Sequence, residues 1–323
     1  MRVVGSAAGI NIHAPDDAYF SYFNSPYIGH NIGSAVDIYP HHQEWGGPIE
    51  TPISGKIVKI KKMRMGQAKQ FPTSEYDYGI GILPEGLVSD IVRIMHCEPS
   101  VTEGETVNLG DHIGSAIRSR YFNYWTGPHY HVEIQPLESF HRSSKSYPLE
   151  LEYHFESKRP TNTQKDIGFL VESVTDDHIT GYAENLGFAT IRDLNGLSAL
   201  NRENETVGIL DGGFPHYKIG GVIGTTELSQ GETIILLDSP IGSVRNAKSG
   251  ASVFSRGPLI TSFLDGTELR GLSCFIYTKH YTRKKIPQTI LIPKEYGQFR
   301  GLFNEGNTCE LRITSNSNTI KAD

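Results

Sequence analysis

Two histidines stand one residue apart in the stretch TGPHYHVEI, residues 126–134. The tyrosine, valine and isoleucine of this stretch favour extended structure, and the Gly-Pro before them is a natural start for a strand. In a strand, His129, His131 and Glu133 would share one face, with the apolar residues on the other. Two neutral imidazoles on one face can bind a metal ion together, or one can bind while the other exchanges protons with a substrate. Glu133 could orient a histidine or pair with a basic side chain. The alternative is a solvated strand face that happens to carry histidines.

Further histidines and an aspartate stand near other predicted strands. His30 and Asp37 precede the strand-like segment TPISGKIV, and the segment DIVRIMH is typical of a strand that ends at His96. A metal site on a β scaffold needs ligands that are far apart in sequence and fixed by the sheet. A catalytic zinc ion typically has three nitrogen or oxygen ligands from the protein and a water in the fourth position. Two histidines, one aspartate and a water would meet this requirement.

The order of five segments resembles a known family. The segments GSAVDIYP, TPISGKIV, RIMH, EGETVNLGDHIGSA and TGPHYHVEI follow one another as in the LytM/lysostaphin-type zinc endopeptidases, which hydrolyse peptidoglycan cross-bridges. The resemblance covers roughly residues 28 to 137, and its most specific parts are the last segment and the run from Gly104 to Gly114. It implies a catalytic domain with the duplicated-hybrid-motif β-barrel or sandwich of that family.

The resemblance also implies roles for individual residues. It implies that Asp37 and His131 are ligands of one zinc ion, with His30 as the candidate for the third ligand. It also implies that His96 and His129 are catalytic histidines that do not bind the metal. The implied reaction is hydrolysis of a peptide amide bond in a peptide or peptidoglycan-like substrate. Zinc would polarise the carbonyl and activate a water, while the two histidines orient the water, take its proton or stabilise the oxyanion. Which of the two is the base stays open.

One spacing departs from the family pattern. The family has three residues between the ligand histidine and the aspartate, whereas six residues separate His30 from Asp37, and Gly33 stands four positions before Asp37. We expect the loop, which contains glycine and serine, to adjust so that His30 reaches the metal. His41 or His42 could substitute, but a strand-to-turn course would carry them away. If a ligand has been lost, the chain is instead a non-catalytic metal- or peptide-binding module with a degenerate peptidase site.

Short β-rich segments separated by turn residues dominate the whole chain. The 323 residues include 34 Gly and 17 Pro, which punctuate segments such as ETIILL and QTILIP. Amphipathic helical patterning is scarce, and the main candidate helix runs from Tyr182 to Leu197. The sequence therefore predicts an all-β protein.

A polar segment over residues 155–166 lacks hydrophobic periodicity and predicts a domain boundary. We predict a LytM/lysostaphin-like zinc peptidase domain over residues 1–155 and a second β-rich domain over residues 166–323. All the chemically suggestive clusters lie before the boundary, so the sequence leaves the role of the second domain open.

Composition narrows the classes of partner. A formal net charge of -6 and a pI near 6.1 argue against a general binder of nucleic acid or of anionic membranes. The three cysteines, Cys97, Cys274 and Cys309, are odd in number and widely spaced, so no disulfide framework is predicted. We find no apolar run of about 18 residues and no signal-peptide pattern, and expect no membrane span. The expected location is cytoplasmic, or exported without a conventional signal peptide, and the oligomeric state stays open.

Overall fold

A computed structural model gives the fold and describes residues 1–42, 44–155, 159–160, 166–183, 187–224, 228–248, 250–257, 260–283 and 286–315. The chain divides into two compact units. The first comprises Met1–Tyr22 and Tyr27–Leu151, and the second comprises Phe23–Pro26 and Glu152–Asp323. Most of the predicted boundary segment, residues 156–158 and 161–165, lies outside the described residues. The predicted domain limits therefore stay a prediction.

The first unit is built from short antiparallel strands, one short α-helix and two 3₁₀ turns, which are Leu137–Ser139 and Ser143–Lys145. The helix is α1 (Ile28–Asn31). The strands are β1 (Arg2–Ala7), β2 (Ile10–Ala14), β3 (Tyr19–Ser21), β4 (Ala35–Tyr39), β5 (Pro48–Glu50), β6 (Gly55–Arg64), β7 (Tyr76–Leu83), β8 (Asp90–Met95), β9 (Cys97–Pro99), β10 (Thr106–Val107), β11 (His112–Ala116) and β12 (Tyr130–Pro136). Among the described residues they form a seven-stranded sheet in the order β10-β6-β7-β8-β12-β4-β3, a three-stranded sheet β5-β11-β9 and the pair β1-β2.

Strand β12, which contains most of the two-histidine stretch, lies in the interior of the seven-stranded sheet between β8 and β4. Its valine and isoleucine face is fully buried, as the alternation predicts. The opposite face is buried as well, since His131 is only 7% exposed and Glu133 is 0% exposed. The alternative of a solvated histidine face is therefore wrong.

In its described residues, the second unit contains one large antiparallel sheet and a 3₁₀ turn at Lys279–Tyr281. Its strands are β13 (Arg159–Pro160), β14 (Asp166–Val174), β15 (Ile179–Ala183), β16 (Phe188–Ile191), β17 (Leu194–Leu200), β18 (Glu205–Phe214), β19 (Ile219–Ile223), β20 (Thr233–Leu236), β21 (Ser239–Lys248), β22 (Ala251–Arg256), β23 (Ile260–Leu264), β24 (Thr267–Cys274), β25 (Tyr277–Thr278), β26 (Thr282–Arg283), β27 (Ile286–Pro293) and β28 (Thr308–Ser315). The main path runs β16-β17-β20-β21-β22-β19-β18-β24-β23-β28-β14-β15-β27-β26. One core holds this unit together, with Phe169, Phe214, Phe254 and Leu291 among its fully buried members. The all-β prediction is confirmed in both units.

The predicted helix from Tyr182 to Leu197 is wrong. The described part of this segment is strand: β15 ends at Ala183, and β16 and β17 form a hairpin in which Ile191 pairs with Leu194. Arg192 in the loop has a φ of 56°, in the left-handed region that a tight hairpin turn uses. Burial along β16 alternates residue by residue, so period two overrides the apparent helical spacing.

The three cysteines are all buried and none forms a disulfide. In the described part of the chain, every helix is too short or too polar to cross a bilayer.

The partly buried His216 of the second unit makes stability depend on pH. Burial and the nearby positive charge of Arg270 lower the pKa of His216 to about 3. A histidine in an unfolded chain titrates near 6.5, so below this pH the unfolded state binds a proton that the folded state does not. The second unit should therefore lose about 2 kcal/mol of stability from this group between pH 7 and pH 5.

Hydrogen exchange of the β18 amides at the two pH values, corrected for intrinsic rates, measures this loss. His216→Leu should reduce the difference in the free energy of unfolding between pH 7 and pH 5 by about 2 kcal/mol. This holds whatever stability the substitution itself removes at pH 7. His141→Leu, which replaces an exposed histidine, serves as the matched control and should leave the difference as it is. An unchanged difference in His216→Leu would contradict the prediction.

Candidate metal centre

Strand register places two of the predicted ligands side by side. In the antiparallel pair of β12 and β4, His131 lies directly opposite Asp37. The two side chains therefore leave the sheet on the same face, and His131 Nδ1 lies 2.8 Å from Asp37 Oδ1. His30 Nε2 lies 3.1 Å from His131 Nδ1 and 3.2 Å from Asp37 Oδ1. All three residues are buried and form a group that could hold a metal ion.

The helix α1 explains how His30 reaches this point despite the long spacing to Asp37. The chain makes one helical turn, which the Ser34 N–H closes by donating to the Gly29 carbonyl oxygen at 2.8 Å. Gly33 then takes a φ of 68°, a left-handed conformation that ends the helix, and β4 begins two residues later. The additional residues are thus taken up as one turn of helix.

The imidazoles of His30 and His131 each have one nitrogen hydrogen-bonded to an acceptor away from Asp37. The other nitrogen of each ring therefore directs its lone pair toward the point between the three residues. His30 Nδ1 lies 2.7 Å from the Tyr22 carbonyl oxygen, which can only accept, so Nδ1 carries the proton and Nε2 faces Asp37. His131 Nε2 lies 2.9 Å from Glu133 Oε1, so its Nδ1 is the atom that faces Asp37. With the histidines neutral, three acceptor atoms face one another, an arrangement that a cation stabilises.

The distances suit a single zinc ion. Two ligand atoms that each lie about 2.0–2.1 Å from a tetrahedral zinc are separated by about 3.3 Å. The three separations here are 2.8, 3.1 and 3.2 Å. The set of two imidazole nitrogens and one carboxylate oxygen is one that zinc uses in catalytic sites. The residues therefore fit the ion that the sequence predicts.

The electrostatics also favour a positive charge at this point. Burial alone would raise the pKa of Asp37, but the imidazoles of His30, His129 and His131 hold it well below its usual value. Burial alone would lower the pKa of His131, but hydrogen bonds to Asp37 and Glu133 outweigh it and raise the pKa to about 9. A cation bound between these residues would interact favourably with the Asp37 and Glu133 carboxylates and would take the place of a proton on His131.

His129 lies beside this group with its Nε2 turned toward it. His129 Nδ1 donates to the Gly127 carbonyl oxygen at 2.8 Å, and Nε2 lies 3.8 Å from Asp37 Oδ2. The ring lies between Tyr39 and Phe122, with centroid distances of 5.0 and 5.1 Å. Burial lowers the pKa of His129 to about 4, so this imidazole is neutral at physiological pH.

His96 lies at the point where the chain leaves one sheet for another. Strand β8 of the seven-stranded sheet ends at Met95, and β9 of the three-stranded sheet begins at Cys97. Between them His96 has a φ of 66°, which is uncommon for a residue with a side chain. Its ring centroid lies 5.3 Å from that of His129 and 6.0 Å from that of His131. The five predicted site residues are therefore neighbours.

Sequence reasoning missed the side chains that hold these histidines. Asp77 Oδ2 accepts from His96 Nδ1 at 2.7 Å. Arg93 lies opposite Glu133 in the register of β8 and β12 and donates to its Oε2, which Ser146 Oγ also contacts at 2.8 Å. Glu133 thus both orients a histidine and pairs with a basic residue, the two alternatives that the sequence left open. Gly29 gives it room, since a Cβ there would lie 2.3 Å from Glu133 Oε1.

The substitutes considered for His30 lie elsewhere. His41 and His42 follow β4 in a turn and are both exposed. Neither belongs to the group formed by His30, Asp37 and His131.

Comparison with known proteins places the chain in a family. Residues 12–151 match the model of the DUF8155 N-terminal domain, described as a domain of unknown function, and residues 175–291 match that of the DUF8155 C-terminal domain. The two matches together span well over half of the chain. The chain belongs to the DUF8155 family. All five histidine and aspartate site residues lie within the match to the DUF8155 N-terminal domain.

No curated protein matches this DUF8155 sequence. Two solved structures are similar at low TM-scores. The solution structure of lysostaphin has a TM-score of 0.27 and 16% identity, covering 76% of this chain and 98% of that one. The antimicrobial peptidase lysostaphin from Staphylococcus simulans has a TM-score of 0.25 and 13% identity, covering 94% of this chain and 98% of that one.

Proposed function

We propose that this DUF8155 protein is a zinc-dependent endopeptidase that hydrolyses peptide amide bonds. The observation that carries the proposal is the set of three buried acceptor atoms, on His30, Asp37 and His131, that face one another within 3.2 Å. Two further imidazoles lie next to this set. A purely structural metal site would not need them, whereas hydrolysis needs groups that move protons.

The site residues have two kinds of role in hydrolysis: three bind the metal, and two act on the substrate and the water. A zinc ion held by the three ligands would polarise the scissile carbonyl and lower the pKa of a water. His96 and His129 each have Nδ1 tied to an acceptor, so each offers Nε2 to a substrate. One imidazole takes the proton of the attacking water and returns it to the leaving amine, and the other orients the water or stabilises the oxyanion.

The substrate class rests on the sequence resemblance. The TGPHYHVEI segment and its companions resemble enzymes that cleave peptidoglycan cross-bridges, so we propose a peptide or peptidoglycan-like substrate. The competing function is a non-catalytic metal- or peptide-binding module. The long spacing between His30 and Asp37 favours that module. The position of His30 Nε2, 3.2 Å from Asp37 Oδ1 after the turn of helix α1, supports the peptidase instead.

Metal content tests the proposal directly. Purified wild-type protein should contain about one zinc per chain by elemental analysis. His30→Ala should lose this zinc, because it removes one of three ligands and leaves the other two too weak to retain the ion. His112→Ala removes an exposed histidine of the same unit, outside the groups that could hold a metal ion, and should keep the wild-type zinc content.

Two results of the zinc measurement would count against the proposal. Zinc that survives in His30→Ala would remove His30 from the ligand set and favour the binding-module function. Absence of zinc and of any other divalent metal from the wild type, even after incubation with zinc and desalting, would contradict the proposal as a whole.

A further inference from the structure

A buried aspartate lies behind one of the two proposed catalytic histidines. Asp77 is the second residue of β7 and is 0% exposed. Its Oδ2 accepts from His96 Nδ1 at 2.7 Å and from Ser119 Oγ at 2.8 Å. Its Oδ1 accepts from the backbone N–H of Tyr78 at 2.7 Å. A carboxylate that accepts three hydrogen bonds in a buried position has a fixed orientation.

The carboxylate stays ionised where it lies. Burial alone would raise the pKa of Asp77, but His96, Ser119 and the Tyr78 N–H lower it below its usual value. An ionised carboxylate can only accept hydrogen bonds, so the atom of His96 that faces it must carry a proton. The lone pair of a neutral His96 is then on Nε2, on the far side of the ring.

We propose that Asp77 is a positioning residue that holds His96 as the Nδ1–H tautomer and so makes His96 the proton acceptor of the reaction. The inference rests on the proposed hydrolytic function and assigns a role that the sequence left open between two histidines. The partner of His129 carries no charge: the Nδ1 of His129 donates to the neutral carbonyl oxygen of Gly127. Of these two histidines, His96 has a carboxylate at its Nδ1, where it would stabilise an imidazolium and leave Nε2 to take the proton.

The proton balance follows from this arrangement. As the water oxygen bonds to the carbonyl carbon, one water proton passes to His96 Nε2, and the ring becomes an imidazolium whose Nδ1–H still donates to Asp77. When the C–N bond breaks, the proton on Nε2 passes to the leaving amine nitrogen. His96 returns to its starting tautomer, and Asp77 stays ionised throughout.

The backbone of His96 supports the same orientation. The His96 N–H lies 3.3 Å from the Tyr78 carbonyl oxygen, and the His96 carbonyl oxygen accepts from the Ile117 N–H at 3.0 Å. These bonds hold the residue in its left-handed conformation from both sides. Strained backbone at a functional residue is kept when the surroundings fix it, as they do here.

Asp77→Asn tests the proposal because a backbone N–H fixes the orientation of the new side-chain amide. The Tyr78 N–H needs an acceptor, so the amide oxygen takes the place of Oδ1 and the amide NH₂ takes the place of Oδ2. The NH₂ then donates to His96 Nδ1, and the ring proton must move to Nε2. Ser119 Oγ can accept from the second hydrogen of the NH₂, but its own hydroxyl hydrogen loses the acceptor that Oδ2 provides in the wild type.

The tautomer is read from the ¹⁵N shifts of the histidine rings in labelled full-length protein, with His96→Gln identifying the signals of His96. We expect the Nδ1–H tautomer in wild type and in Ser119→Ala, which keeps the carboxylate, and the Nε2–H tautomer in Asp77→Asn. Zinc content and KM should stay at the wild-type level in Asp77→Asn, while kcat on dye-labelled peptidoglycan falls about 10²–10⁴-fold.

The outcomes separate this inference from the proposed function. An Nε2–H tautomer in wild type, or an Nδ1–H tautomer retained in Asp77→Asn, would overturn the positioning role even if the enzyme is active. A changed tautomer with unchanged kcat would overturn the role of His96 as proton acceptor. Absence of hydrolysis in wild type would overturn the proposed function, while the ring shifts would still decide whether Asp77 sets the tautomer.

Discussion

His129→Ala should abolish hydrolysis and leave zinc bound. The ring of His129 lies beside the ligand group, but its Nε2 is 3.8 Å from Asp37 Oδ2, and its Nδ1 is held by a backbone carbonyl. Its loss therefore removes a group that acts on the substrate and leaves all three ligands in place. We expect kcat to fall about 10²–10⁴-fold, because the attacking water loses the acceptor that orients it for proton transfer. Elemental analysis and release of dye from labelled peptidoglycan measure the two effects.

His131→Ala is the contrasting variant. Its Nδ1 lies 2.8 Å from Asp37 Oδ1, so this change should remove both zinc and hydrolysis. His112→Ala, which replaces an exposed histidine of the same unit, should retain both. Equal loss of zinc in His129→Ala and His131→Ala would show that the two-histidine stretch does not divide its roles in this way.

The sequence predicts the strand and its faces because alternation is a local property. The apolar residues of TGPHYHVEI determine which side of β12 meets the core, and this places His131 and Glu133 together on the other side. The approach of Asp37 could be predicted only from the family resemblance. Its physical cause is the register between β4 and β12, which pairs residues that lie 94 positions apart in the sequence.

Other parts of the site have no local pattern that reveals them. Asp77 is one acidic residue at the start of a strand, and it becomes significant only when the chain changes sheets at His96 and the two side chains meet. The helix α1 has four residues, which is too short for helical periodicity to appear in sequence. Arg93 has an acidic partner only because β8 pairs with β12. In each case the missing information is a contact between distant strands.

These contacts share a chemical logic. Each imidazole of the site has one nitrogen tied to a fixed acceptor: a backbone carbonyl for His30 and His129, and a carboxylate for His96 and His131. The carboxylates are themselves held by further donors. Fixed outer partners lower the cost of ordering the inner groups and set which nitrogen faces the reaction. The strongest of these supports is Glu133, and its removal should have the largest effect on folding.

Glu133→Gln should destabilise the protein by about 3–5 kcal/mol and weaken zinc binding about 10–100-fold. Glu133 accepts from His131 through Oε1 and from Arg93 and Ser146 through Oε2, and its pKa is held to about 2: burial would raise it, but His131 and Arg93 outweigh burial. Glutamine has one carbonyl oxygen, so it can accept at the position of Oε1 or at that of Oε2, but not at both. Either His131 or the buried Arg93 then faces an NH₂ group. Urea unfolding of the metal-free protein and competition with a chelator measure the two losses.

The double variant Arg93→Met/Glu133→Gln distinguishes the ion pair from the support of the histidine. Methionine removes the buried charge, so the glutamine oxygen is free to accept from His131 Nε2, and much of the lost stability should return. Zinc affinity should recover as well. It should stay below the wild-type affinity only by the amount that a neutral amide oxygen supports His131 less well than a carboxylate does. Recovery of stability without recovery of affinity would mean that only a carboxylate can hold His131. A single variant that costs less than about 1 kcal/mol and binds zinc as wild type does would mean that Glu133 supports neither the fold nor the ligand.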